Sequence, residues 1–206
     1  MITIINYEMG NLFSVESSFN YLGYKTDITD NNEKIVNSKI LIMPGVGSFK
    51  KAMKIIKSKK IDLSINECLR KGSKILGICL GMQLLTESSN EDGFSFGLGL
   101  IKNKVEKFNT NEVKGMKIPH IGFNSITYQK NDLLFKNLKR NPDFYFVHSY
   151  RIDLNKFSDD KVFYSEFNYG NNFVSSFASK NICGTQFHPE KSQTNGLILL
   201  KNFIES

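Results

Sequence analysis

Tryptophan is absent from the 206 residues, and cysteine, histidine and proline number only three, three and four. Cys68, Cys79 and Cys183 cannot close an even disulfide framework, and none sits in a C-x-x-C pair. With His120, His148 and His188 far apart in sequence, a structural zinc site is not expected, and a reduced compartment with at least one free thiol is. No apolar run approaches the ~20 residues that span a bilayer. Met1 to Asn6 reads as a first strand, without the basic start of a signal peptide. The expected setting is the cytoplasm, with no membrane contact. Arginine is scarce too: Arg70, Arg140 and Arg151 stand against a total of 27 basic residues. The formal charge of +7 is therefore carried by dispersed lysines. Guanidinium forks suited to phosphate and guanine are nearly missing, so nucleic acid is not an expected partner.

What is present is an alternation of strand and helix signals. Apolar runs at Ile2 to Asn6, Tyr24 to Ile28, Lys39 to Met43 and Lys74 to Ile78 read as strands. Between them, Leu12 to Leu22, Phe49 to Ile56 and Leu63 to Leu69 repeat apolar residues at helical spacing, and Gly23 and Gly72 act as stops. Leu80 to Glu87 reads as a further helix, Gly93, Gly97 and Gly99 as a loop, and Leu100 to Phe108 as an edge strand. Aromatic and β-branched runs at Phe144 to Val147, Val162 to Phe167, Phe173 to Ala178 and Ile182 to Gln186 predict antiparallel strands added to one side of the sheet. Gly196 to Ile204 predicts a closing helix. The expectation is one α/β domain over residues 1–206, with a mostly parallel central sheet flanked by helices and an antiparallel portion in the C-terminal half.

Three segments carry chemistry. Gly77-Ile78-Cys79-Leu80-Gly81 has the G-x-C-x-G form of a nucleophile elbow between an apolar strand and a helical pattern. The tight turn would lift Cys79 above the sheet edge at a helix N-terminus, where thiolate is favoured. A buried cysteine between two packing glycines is the plain alternative. His188-Pro189-Glu190 follows an apolar strand and supplies a base with a carboxylate to orient it. Pro44-Gly45-Val46-Gly47-Ser48-Phe49 is a glycine-rich loop able to turn backbone N–H groups toward a developing oxyanion, with the Leu80 N–H as a second donor. That loop lacks the spacing of a phosphate-binding motif.

Together with Met82-Gln83 and Lys191-Ser192, these segments resemble the class I (triad) glutamine amidotransferases, whose fold is flavodoxin-like. Within that class the chain is similar to the glutaminase subunits of imidazole glycerol phosphate synthases, from histidine biosynthesis. Tyr7 to Leu12, Pro119-His120-Ile121-Gly122-Phe123-Asn124 and Phe146-Val147-His148-Ser149-Tyr150 extend the likeness from end to end. The resemblance implies that Cys79 attacks the glutamine side-chain amide, with His188 as base and acid and Glu190 orienting it. Val46 and Gly47 match the oxyanion strand, and Gln83, Glu91, Ser149 and Tyr150 match substrate-holding positions. Ammonia would pass to a (β/α)₈-barrel cyclase bound as a heterodimer, with no metal or organic cofactor. Asn11, Ser14, Pro119, Phe123, Tyr145 and Lys191 match partner-facing positions.

Several of these residues have a plainer reading beside the functional one. Asn11 is equally readable as a helix cap, Tyr145 as core and Lys191 as a solvated charge. His148 is readable as a satisfied structural histidine, and His120 falls in an expected partner-facing loop. Cys68 and Cys183 read as packing residues. Phe123 stands where the family usually has tryptophan, and Lys104 to Lys117 matches no motif. The alternatives are a relative that supplies ammonia for sugar amidation, a stand-alone γ-glutamyl hydrolase or cysteine protease, and a non-catalytic binding subunit.

Overall fold

A computed structural model describes residues 1–113, 115–129, 132–157 and 162–206. Apolar residues in β1 (Ile2–Ile5) begin the sheet, and the Asn11 side chain caps α1 (Leu12–Tyr21) by accepting from the Ser14 N–H at 3.2 Å. The chain continues through β2 (Thr26–Thr29), α2 (Asn32–Val36), β3 (Ile40–Gly45), α3 (Phe49–Ser58) and α4 (Ile61–Arg70). Next come β4 (Lys74–Cys79), α5 (Leu80–Leu84), β5 (Thr86–Ser89), β6 (Ser95–Phe96), β7 (Ile101–Lys107), β8 (His120–Ser125) and β9 (Thr127–Tyr128). The remainder is β10 (Asp143–His148), β11 (Tyr150–Ile152), β12 (Phe163–Tyr169), β13 (Asn171–Ser179), β14 (Ile182–Thr185) and α6 (Gln193–Glu205).

The main sheet has the order β2-β1-β3-β4-β14-β13-β12-β9. Its first five strands pair in parallel, and β13, β12 and β9 continue it antiparallel. Side chains alternate across the pleat. Ile5, Leu41, Met43 and Ile75 feed one buried cluster, whereas Ile4, Ile42, Leu76 and Ile78 feed the other. Both faces are thus covered, as parallel strands require. Among the described residues, no helix is long and apolar enough to cross a membrane.

The structure departs from the expected elements at five places. The helix after Cys79 ends at Leu84, because Thr86–Ser89 is drawn into a parallel pairing with β7 that no local pattern encodes. The glycine-marked loop contains the short strand β6, paired with β5. β7 is not an edge strand; it lies between β11 and β5 in a separate four-stranded sheet, and residue 114 of the polar stretch after it lies outside the described residues. β14 pairs in parallel with β4, so only its other side is antiparallel. Finally, β10 does not join the main sheet. It pairs with β8, which occupies the segment read as a partner-facing loop, and His120 is consequently buried.

Candidate active site

Strands β3, β4 and β14 run parallel and end at the same sheet edge, the place where open α/β sheets build their sites. Cys79 closes β4 and caps α5 with φ 54° and ψ −108°. A non-glycine residue rarely adopts a positive φ, so this backbone is held there by its surroundings. The glycines on either side make the turn possible. A Cβ on Gly81 would overlap the Met43 carbonyl, and one on Gly77 would lie 2.6 Å from the Met82 nitrogen. The packing-cysteine alternative predicts a relaxed backbone at position 79; the structure has the elbow.

β14 leads into the facing group. Thr185 stands opposite Ile78, and three residues later His188 is buried beside the elbow. Its Nδ1 is 2.7 Å from Glu190 Oε1, with both side chains 3% exposed. The backbone of His188 is held as well. The His188 N–H donates to the Tyr145 carbonyl at 2.9 Å, and the Ser192 hydroxyl donates to the His188 carbonyl at 2.6 Å. Among the described residues His188 Nε2 has no conventional nitrogen or oxygen partner, and with Nδ1 committed to Glu190 it is the ring atom left to exchange a proton with the Cys79 sulfur. Burial alone would lower the His188 pKa. The nearby Cys79 sulfur, and then Glu190, override it and raise the value to about 10.

A cavity of about 460 Å³ opens over the elbow. Val46, Gly47, Leu80, Gln83, Glu91, Ser149 and Tyr150 all line it, so the seven residues expected around a substrate are brought together. Gly47 has φ 103°, a region glycine reaches freely. The preceding turn is anchored by the buried Tyr7 hydroxyl, which donates to the Pro44 carbonyl. Glu91 accepts the Phe49 N–H at 2.8 Å at the start of α3. Its carboxyl is raised by burial, offset in part by that N–H, and raised further by Asp92. The Gln83 amide donates to the Tyr150 carbonyl at 3.0 Å and to Gln186 Oε1 at 2.9 Å.

The residues expected to face a partner are less unified. Tyr145 packs against Phe123 with ring centroids 5.4 Å apart, and Lys191 Nζ lies 5.8 Å from the Tyr145 ring. Pro119 reaches the cavity itself. Ser14 lines a hollow with Phe13, Tyr21 and Glu190. Asn11 is the cap of α1, as its plainer reading had it.

One residue at the nucleophile was not singled out from the sequence. Gln186 Nε2 points at Cys79 Sγ from 3.7 Å. The available signal was its place just past β14, two residues before His188 in the same Gln186-Phe187-His188-Pro189-Glu190 segment.

A model of the family described as "Glutamine amidotransferase class-I" matches residues 3–206. The imidazole glycerol phosphate synthase subunit HisH 1 of Parasynechococcus marenigrum (strain WH8102) is 43% identical over 204 residues, covering 98% of this chain and 96% of that protein. The HisH subunit of Buchnera aphidicola subsp. Acyrthosiphon pisum (strain APS) is 43% identical, covering 99% of this chain and 98% of its own. Among solved structures, a glutamine amidotransferase superposes with a TM-score of 0.77 at 16% identity, covering 100% of this chain and 98% of that one. PurLQS from Thermotoga maritima gives 0.75 at 18%, covering 99% and 97%. These two establish the fold, a mostly parallel α/β sheet with an antiparallel extension. The chain belongs to the class-I glutamine amidotransferases and, within them, to the HisH subunits of imidazole glycerol phosphate synthase.

Proposed function

We propose that this chain is a glutaminase that supplies ammonia for imidazole glycerol phosphate synthesis in the histidine pathway, and that residues 1–206 act as one catalytic domain. The observation that carries the mechanism is the positive-φ elbow at Cys79 beside a buried His188–Glu190 pair, under a cavity of about 460 Å³. His188 takes the Cys79 proton, and the sulfur attacks the side-chain carbonyl carbon of glutamine. The oxygen gains charge in the tetrahedral intermediate and is met by the Leu80 N–H and by the Val46–Gly47 backbone. The C–N bond breaks, and ammonia leaves with a proton from His188. Water, deprotonated by His188, then cleaves the thioester to glutamate. Glu190 keeps the ring oriented throughout. Glu91 meets the α-ammonium, while Gln83, Ser149 and Tyr150 hold the rest of the substrate.

Ammonia is captured by a (β/α)₈-barrel cyclase docked as a heterodimer. The exposed Ile121 and Phe123 on β8, together with Asn11, Ser14, Pro119, Tyr145 and Lys191, form the docking side. A reducing compartment such as the cytoplasm suits the three free thiols.

Glutamate release from glutamine is the test, with the chain alone and mixed with the cyclase from the same genome, with and without cyclase substrate. Strong stimulation that disappears in Cys79→Ala is the expected result. Cys79-dependent turnover without a response to the cyclase would redirect the ammonia to another acceptor, such as a sugar. No turnover under any condition would sink the glutaminase assignment.

A further inference from the structure

Strands β8 and β10 set His120 and His148 directly opposite one another. Both are buried, and the rings of Phe146, Tyr169 and Phe173 pack around them. An unbroken polar path runs through the pair. The Asn124 carboxamide oxygen lies 2.7 Å from His120 Nε2, His120 Nδ1 is 3.1 Å from His148 Nε2, and His148 Nδ1 is 2.8 Å from the Tyr150 carbonyl. The same carbonyl accepts from Gln83, whose amide also donates to Gln186, and the Gln186 NH₂ points at the Cys79 sulfur.

Counting protons gives this path a direction. The Tyr150 carbonyl only accepts, so His148 carries its hydrogen on Nδ1 and a lone pair on Nε2. That lone pair must receive the hydrogen of His120 Nδ1. A neutral His120 then has no hydrogen at Nε2, and a carboxamide oxygen facing it has none to give. Three N–H groups are required where two neutral rings hold two. Burial disfavours a third proton, lowering both imidazoles from their ordinary value and taking His148 to about 3. A half-turn of the Asn124 carboxamide supplies the missing donor without adding charge, because its NH₂ then faces His120.

We infer that His120 and His148 are positioning residues in a one-way donor chain that runs from the Asn124 NH₂ to the Tyr150 carbonyl. The chain fixes the Ser149–Tyr150 wall of the cavity and, through Gln83 and Gln186, the amide aimed at Cys79. Its first member sits beside the exposed Phe123 on β8, so a partner's pull on that strand reaches the substrate wall through two rings. The consequence for glutamine rests on the proposed role of Cys79; the direction of the chain does not.

With only three histidines in the sequence, imidazole nitrogens are resolvable one by one in ¹⁵N-histidine-labelled protein by long-range ¹H–¹⁵N correlation. Both His120 and His148 are expected as neutral Nδ1–H tautomers at pH 7. An Nε2–H His120, or an imidazolium at that position, would overturn the chain. The kinetic arm uses the cyclase-stimulated chain. His148→Leu is expected to raise the KM for glutamine roughly tenfold, with a smaller change in kcat, because the Tyr150 carbonyl and the His120 N–H both lose their buried partner. His148→Asn, which keeps an NH₂ near the Nδ1 position, should recover most of that loss. Equal KM values for wild type and His148→Leu would defeat the positioning role. The tautomer measurement needs no substitution, so it decides the chain's direction even where a variant fails to fold. A fully active Cys79→Ala chain would remove the nucleophile assignment and leave the tautomers as they are.

Discussion

Two cysteines on neighbouring strands of one sheet are almost equally buried, Cys79 at 7% exposure and Cys183 at 6%. Their surroundings could hardly differ more. Cys183 pairs with Leu76 in register, about 10 Å down the strands from the elbow. Burial, and then the Asp132 carboxyl, push its thiol up to about 12, with Lys74 a weak counterweight. Cys79 has an imidazole beside it, the Gln186 NH₂ aimed at its sulfur and a cavity above. Burial alone neither makes nor silences a thiol. The groups that a strand end gathers do.

The sharpest way to break this contrast is to disable the pairing behind the imidazole. Glu190→Gln keeps the shape but removes the carboxylate that sets the ring, and kcat/KM for glutamine should fall by roughly 10²–10⁴. Glutamine kinetics of the folded variant measure it, and a change under threefold would detach Glu190 from the chemistry. A smaller effect is expected on the histidine itself. Because Cys79 is the leading group that raises His188, the His188 midpoint in Cys79→Ala should fall below about 10 in an NMR titration. In the wild type, the contribution that this raised value makes to stability is complete below the ordinary histidine pKa. It fades as pH climbs through about 10. An unmoved midpoint would place the cause elsewhere. Smallest of all should be the response to Cys183→Ser, with kcat/KM within about threefold of wild type. Iodoacetamide mass mapping at neutral pH should modify Cys79 well before Cys183 or Cys68, and comparable rates would erase the distinction.

The elbow was legible because its requirement is local. A positive-φ turn between strand and helix needs glycine where Gly77 and Gly81 stand, and that need is written in five consecutive residues. The parallel strands were legible for a related reason, since β1, β3 and β4 are apolar on both faces. What escaped notice depends on distant partners. Thr86 and Glu87 read as the tail of a helix until β7 pairs with Thr86–Ser89. His120 to Ser125 mixes apolar, glycine and polar residues, and becomes a strand only against β10. The expected substrate positions converge on one cavity, while Gln186 was passed over because an amide gains meaning only from the sulfur across from it.

The positive φ at Cys79 also bears on how this sequence ages. A side chain held in so sparsely populated a backbone region costs on the order of 1–3 kcal/mol, most of which glycine would not incur. Stability and chemistry therefore pull in opposite directions at a single codon. In a lineage released from the need for ammonia, Cys79→Gly would relieve that strain while removing the nucleophile, and a silent descendant lies one substitution away.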